Sequence, residues 1–182
     1  MSTIFFSPHC DDESLFGAFL IMEHNADVVV VLGDSDLQEK RGLPITSVER
    51  RAETVAACEQ LGVTQLTFWP QADSNPDWDA VERMMRDLPS PQVVIAPLPE
   101  VGGHEQHNHV GRLAKEVFGS NVIFYLTYTS DRGRSDWGDE VVPKPWMIPL
   151  KLRALSCYYS QILHDGTGTR EWFTRGLDEH TA

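Results

Sequence analysis

Asp27-Val28-Val29-Val30-Val31-Leu32 is the stretch that decides the fold class. Its apolar run has no polar face, so the strand it forms must be covered on both sides, as strands of a parallel sheet are. Shorter runs of β-branched and aromatic residues at 3–7, 65–69, 92–96 and 121–128 read as further strands. Helical patterns separate them at 12–23, 47–60, 77–86 and 107–117, and a last helix is expected over 150–163. In the second, Val48, Ala52, Val55, Ala56 and Leu61 fall on one stripe, and Gly62 follows as the stop. The alternation predicts an α/β fold: a Rossmann-like, doubly wound, mainly parallel sheet of about five strands with flanking helices. Residues 1–182 read as a single domain. Residues 130–149 break the rhythm: they are polar, hold three prolines and two glycines, and read as a long loop and candidate lid.

The composition narrows the function classes. Of 182 residues, 41% are hydrophobic and 23% charged, and the formal net charge is −12. That sign argues against a nucleic-acid partner and against adhesion to an anionic membrane. No apolar run approaches the roughly 18 residues of a membrane span. The first basic residue is Lys40, so no cationic segment precedes 15–22 as a signal peptide would require. Cys10, Cys58 and Cys157 are odd in number and widely spaced, which points to a reducing, cytoplasmic setting. No exposed apolar stripe stands out that would fix an oligomeric state.

Ligands of doubly wound sheets bind beyond the carboxyl ends of the strands, at the switch point. Two reactive clusters fall at such ends. The first strand runs into Ser7-Pro8-His9-Cys10-Asp11-Asp12-Glu13, where helix capping would account for the carboxylates but not for His9 three residues before Asp12. The fourth runs into a loop carrying His104, His107 and His109. If the first and fourth strands are neighbours, both clusters enter one crevice. A His and an Asp from one loop with a His from the other then make a divalent-metal set with an open position for water.

These residues resemble the signatures of the LmbE-like (PIG-L) zinc-dependent N-deacetylases. His9-Cys10-Asp11-Asp12-Glu13 is similar to that family's His-Pro-Asp-Asp-Glu. His104-Glu105-Gln106-His107-Asn108-His109-Val110-Gly111 is similar to its His-x-Asp-His-x-x-Val-Gly. Arg50, Glu53, Ala57, Leu61 and Gly62 fit its intervening helix, and Lys151, Ala154, Ser160 and Gln161 a later one. The resemblance implies His9, Asp12 and His107 as zinc ligands. It implies Asp11 as general base, and His104 as the group that stabilises the oxyanion or protonates the leaving amine. Arg50 and Asp73 become sugar contacts, and Glu13 and Gln106 outer partners, Glu13 beside a ligand histidine.

The implied activity is removal of an N-acetyl group from an amino sugar or its conjugate, a small-molecule substrate. Zn2+ is the expected ion, with Fe2+ or Co2+ open to the same ligands. Two positions depart from the pattern: Cys10 stands for the family's Pro and Gln106 for its Asp. The second implies a less basic His104 than in relatives. Competing readings are a glycan- or partner-binding module without turnover, an iron(II) oxygenase triad, and a Cys10–His nucleophile pair.

Overall fold

The computed structural model describes residues 2–40, 42–100, 103–127, 139–163 and 179–181. Its sheet has the strands β1 (Thr3–Ser7), β2 (Asp27–Val30), β3 (Leu66–Phe68), β4 (Val93–Pro97) and β5 (Val122–Tyr125). In space they run β3-β2-β1-β4-β5, all parallel. Two short strands, β6 (Asp139–Glu140) and β7 (His180–Thr181), extend the β5 edge in antiparallel fashion. The chain order turns between β1 and β4, so the switch point lies between the two strands that carry the reactive clusters.

Strand alternation builds a core on each face. Phe5, Val28 and Val30 face one side, under the helices α2 (Ala18–His24), α4 (Ser47–Leu61) and α7 (Met147–Ser156). Ile4, Phe6, Val29 and Val31 face the other, under α5 (Trp78–Arg86) and α6 (Glu105–Phe118). Trp69 and Cys58 are buried in these cores, as their apolar settings suggest.

Four local expectations need correction. The first helix is two: α1 (Asp12–Leu15) and α2 are separated at Phe16-Gly17. A Cβ on Gly17 would sit 2.1 Å from the Phe5 ring, so close packing on β1 is what holds a glycine there. The last helix is also two, α7 and α8 (Tyr159–Leu163), with buried Tyr158 between them. Of the loop and candidate lid expected over 130–149, residues 139–149 hold β6 and the start of α7, and 130–138 lie outside the described residues. A short helix, α3 (Leu37–Lys40), had no periodic signal.

The face that α4 buries also differs from the expected one. Thr46 and Glu49 cap it reciprocally, with Glu49 N donating to Thr46 Oγ1 at 3.2 Å and Thr46 N to Glu49 Oε2 at 2.9 Å, and Gly62 ends it at φ 75°. Of the apolar stripe chosen from the sequence only Leu61 is buried: Val48 is 75% and Val55 42% exposed. The inward face carries Arg50, Glu53, Thr54, Ala57, Cys58 and Leu61. Two charged residues are turned into the protein, and the site explains why.

The C-terminal segment reaches back to the start of α2. The Glu179 carboxylate accepts Phe19 N at 3.0 Å, and buried Lys151 donates to Glu179 Oε1 at 2.6 Å and to Leu15 O at 3.0 Å. Removing one member of such a buried pair strands the other charge, at a cost of about 3–5 kcal/mol. Lys151→Met is therefore expected to lower the free energy of unfolding by about that amount in denaturant titration. A loss below about 1 kcal/mol would show the pair to be dispensable.

Candidate metal centre and active site

His9 leaves the end of β1, and Asp12 opens α1 three residues later. His107 lies in the first turns of α6, which packs hard against the end of β4. A Cβ on Gly111 would come within 2.1 Å of Pro97 O, so the glycine lets α6 approach closely enough to bring His107 over the β1 loop. Asn108 fixes the intervening loop, accepting Glu100 N at 2.7 Å and donating to Glu100 O at 2.6 Å.

Three donor atoms from these elements converge. His9 Nδ1 is 3.0 Å from His107 Nε2 and 3.1 Å from Asp12 Oδ2, and His107 Nε2 is 3.2 Å from the same oxygen. An ion holding tetrahedral ligands at about 2.0–2.1 Å sets its donors roughly 3.3 Å apart, so this triangle has the size of a metal-binding face. His104 stands at its edge: one nitrogen each from His9, His104 and His107 lie within 4.8 Å of one another. Asp12 Oδ1 is buried without a hydrogen-bond partner among the described residues, which suits a carboxylate kept for an ion. The residues therefore fit a divalent metal.

The electrostatics follow from this crowding. Burial works to raise the Asp12 carboxyl, but the charge and hydrogen bonds of His107 and His9 outweigh it and hold Asp12 well below the usual carboxylate range. Burial works to lower His9, yet its hydrogen bond to Asp12 and the charge of that group carry it up to about 9. His107 is pushed down by burial. An ion at this face must displace the His9 proton, so affinity is expected to rise about tenfold per pH unit between pH 6.5 and 8.5. Titration at three pH values checks this, and a flat profile would contradict it.

Asp11 sits beside the triangle in a rare backbone conformation, φ 141° and ψ −24°. Such strain costs roughly 1–3 kcal/mol and persists only where the surroundings impose it. Here Asp11 N donates to Glu13 Oε2 at 3.2 Å, and Arg50 Nη2 donates to Asp11 Oδ2 at 2.7 Å and to the Cys10 carbonyl. Arg50 Nη1 also faces Glu53 Oε2 at 3.4 Å, and Glu53 accepts Ser160 N and Oγ, both at 2.7 Å. Burial pushes the Asp11 carboxyl up to about 7, with Asp12 and Glu13 adding to the rise and Arg50 opposing it. That is the range a general base needs near neutral pH.

Several expected neighbours lie elsewhere. Arg50, read as a sugar contact, is 4% exposed and engaged with Asp11, Cys10 and Glu53. Glu13, expected beside a ligand histidine, has Ser7, Ser14, Asp11 N and the Tyr158 hydroxyl as its described partners. Gln106 reaches His9, whose Nε2 lies 2.7 Å from Gln106 Oε1, rather than His104. His104 is nonetheless held down to about 4, by desolvation and by His107 and His9. Asp73 is buried, with its Oδ1 accepting Leu37 N at 2.8 Å. Burial pushes the Cys10 thiol up to about 12, which removes the thiolate a cysteine nucleophile needs. His109 stacks on Trp78 at 4.1 Å, away from the triangle's donors. Tyr158, Asn108 and Glu179 carried no motif-level signal.

A family model described as PIG-L, GlcNAc-PI de-N-acetylase, matches residues 4–118, which span both clusters. The chain belongs to the PIG-L family. A search of curated protein sequences finds no match. Among solved structures, this PIG-L chain resembles the N,N'-diacetylchitobiose deacetylase of Pyrococcus horikoshii. That likeness has 18% identity and a TM-score of 0.70 over 100% of this chain and 82% of that one. The A40926 pseudoaglycone deacetylase Dbv21 is 19% identical, with a TM-score of 0.73 over 99% and 95% of the two chains. GalB, a 4-carboxy-2-hydroxymuconate hydratase from Pseudomonas putida KT2440, is 18% identical, with a TM-score of 0.67 over 96% and 84%. At such identities the likeness shows the shared α/β fold, and the reaction must be argued from the site. No helix among the described residues is long and apolar enough to cross a membrane.

Proposed function

We propose that this chain is a metal-dependent hydrolase that removes an N-acyl group, acetyl first, from an amino sugar or its conjugate. The observation that carries the reading is the convergence of His9 Nδ1, His107 Nε2 and Asp12 Oδ2, with the Asp11 carboxyl beside them at the switch point. The ligand set is His9, Asp12 and His107, with zinc the first candidate and Fe2+ or Co2+ behind it. Bound there, such an ion would lower the pKa of a coordinated water to about 7 and polarise the amide carbonyl.

The chain's own groups do the rest. Asp11, with its carboxyl near 7, takes the proton of the attacking water. Arg50 and the strained backbone hold that carboxylate in place, which supports a positioning role for Arg50 in preference to a sugar contact. His104, held down to about 4, is neutral at pH 7. It therefore offers an N–H to the developing oxyanion rather than a stored proton. The C–N bond breaks as the proton collected by Asp11 passes to the departing nitrogen, releasing an amine and a carboxylic acid, which gives its proton to solvent at neutral pH. Asp73, whose carbonyl accepts Gln106 Nε2, is kept as the candidate sugar contact. The acidic balance of the chain favours a neutral saccharide over a polyanionic one, in a cytoplasmic setting.

The test is metal content of protein purified without added metal, paired with acetate release from a panel of N-acetylated amino sugars. One equivalent of zinc and chelator-sensitive release is the expected result. Metal without release from any member would return the chain to a glycan- or partner-binding role.

A further inference from the structure

Gln106 makes two hydrogen bonds of opposite sense. Its Nε2 donates to the Asp73 carbonyl at 2.5 Å, while its Oε1 is 2.7 Å from His9 Nε2. A carbonyl oxygen only accepts, so the amide nitrogen must face Asp73 and the amide oxygen must face His9. His9 Nε2 then carries a hydrogen, and in the neutral ring the lone pair falls on Nδ1, the atom aimed at His107 and Asp12. A carboxylate here could serve His9 but would repel the Asp73 carbonyl. Only an amide satisfies both partners.

The Asp73 end is tied to further loops. Asp73 N donates to Asp34 O at 3.1 Å, and Leu37 N donates to Asp73 Oδ1 at 2.8 Å. Ser74 N and Oγ donate to the Asp36 carboxylate at 3.1 and 2.9 Å, and residues 34 and 72 form a parallel bridge. The segments following β2 and β3 are thus tied to each other, and Gln106 joins them to His9.

We infer that Gln106 is a positioning residue that couples the orientation of His9 to the loops at 34–37 and 71–74. Metal binding at His9 is thereby linked to ordering of the loop that carries Asp73. The inference rests on the metal set named under Proposed function.

Co2+ titration followed by its visible absorption, with hydrogen exchange measured on metal-free and Co2+-loaded protein, tests it without recourse to activity. In the unaltered chain, Co2+ is expected to slow exchange at the amides of Leu37, Asp73 and Ser74. Gln106→Leu removes both bonds, so Co2+ affinity should fall about 10–100-fold, the usual effect of losing a ligand's outer partner. Gln106→Glu keeps an acceptor for His9 but not the donor to Asp73. It should hold Co2+ within about threefold of the unaltered chain while losing most of the metal-dependent protection at those three amides. Unchanged exchange in β1 and β4 would confirm that both variants are folded. Unchanged affinity in Gln106→Leu overturns the inference, as does full metal-dependent protection in Gln106→Glu. An unaltered chain that takes up no Co2+ would overturn the metal set itself, and this inference with it.

Discussion

Asp11→Asn is expected to lower turnover by about 10^2–10^4-fold while leaving metal content at one equivalent, because it removes a general base and no ligand. Asparagine is a suitable replacement on structural grounds. It has the same shape and volume, so it asks for no repacking around the position whose φ is 141°. The Arg50 guanidinium loses a charged partner but keeps the Cys10 carbonyl and Glu53, so the loop retains most of its ties. The informative measurement is kcat on the best substrate of the panel, beside zinc content by elemental analysis. Near-normal kcat would show that another group takes the water's proton. Loss of zinc together with activity would mean that Asp11 belongs to the ligand set.

Asp12→Asn is expected to have the larger effect on the metal. Asp12 Oδ2 touches both imidazoles of the triangle and also accepts His9 N at 2.8 Å, so one oxygen organises both histidines. An amide in its place contributes no charge to a divalent ion, and its nitrogen can turn toward the histidines. The fall in affinity should exceed the roughly 100-fold typical of outer partners, read by competition with a chromophoric chelator. Circular dichroism on the metal-free variant separates this from unfolding. Affinity within about tenfold would instead favour the three-imidazole set of His9, His104 and His107, whose nitrogens lie within 4.8 Å.

The comparison between sequence and structure turns on which interactions leave a local trace. Strand positions were legible because the run at 27–32 must be covered on both faces, and the crevice followed once β1 and β4 were taken as neighbours. Both reactive clusters could be found because each is short and contiguous, 7–13 and 104–109. The C-terminal end of α4 was legible from Gly62, since a helix stop is settled within a turn; the Thr46–Glu49 cap at its start emerged only from the structure.

Tertiary structure decided the rest, for one recurring reason. Hydrophobic periodicity registers the cost of exposing apolar groups, but not buried charges whose partners are distant in the chain. On α4 it therefore chose Val48 and Val55, whereas Arg50 and Glu53 turn inward to meet Asp11 and Ser160. Gln106 could be named as an outer partner from its place in the motif. That it serves His9 and the Asp73 loop depended on where α6 docks, which the close approach of Gly111 to Pro97 sets. Glu179 meets Phe19 across 160 residues of chain, with no pattern around it to announce the contact. The residue types and their spacing thus determined the sheet and the chemistry present at its edge; only packing determined which of those groups face one another.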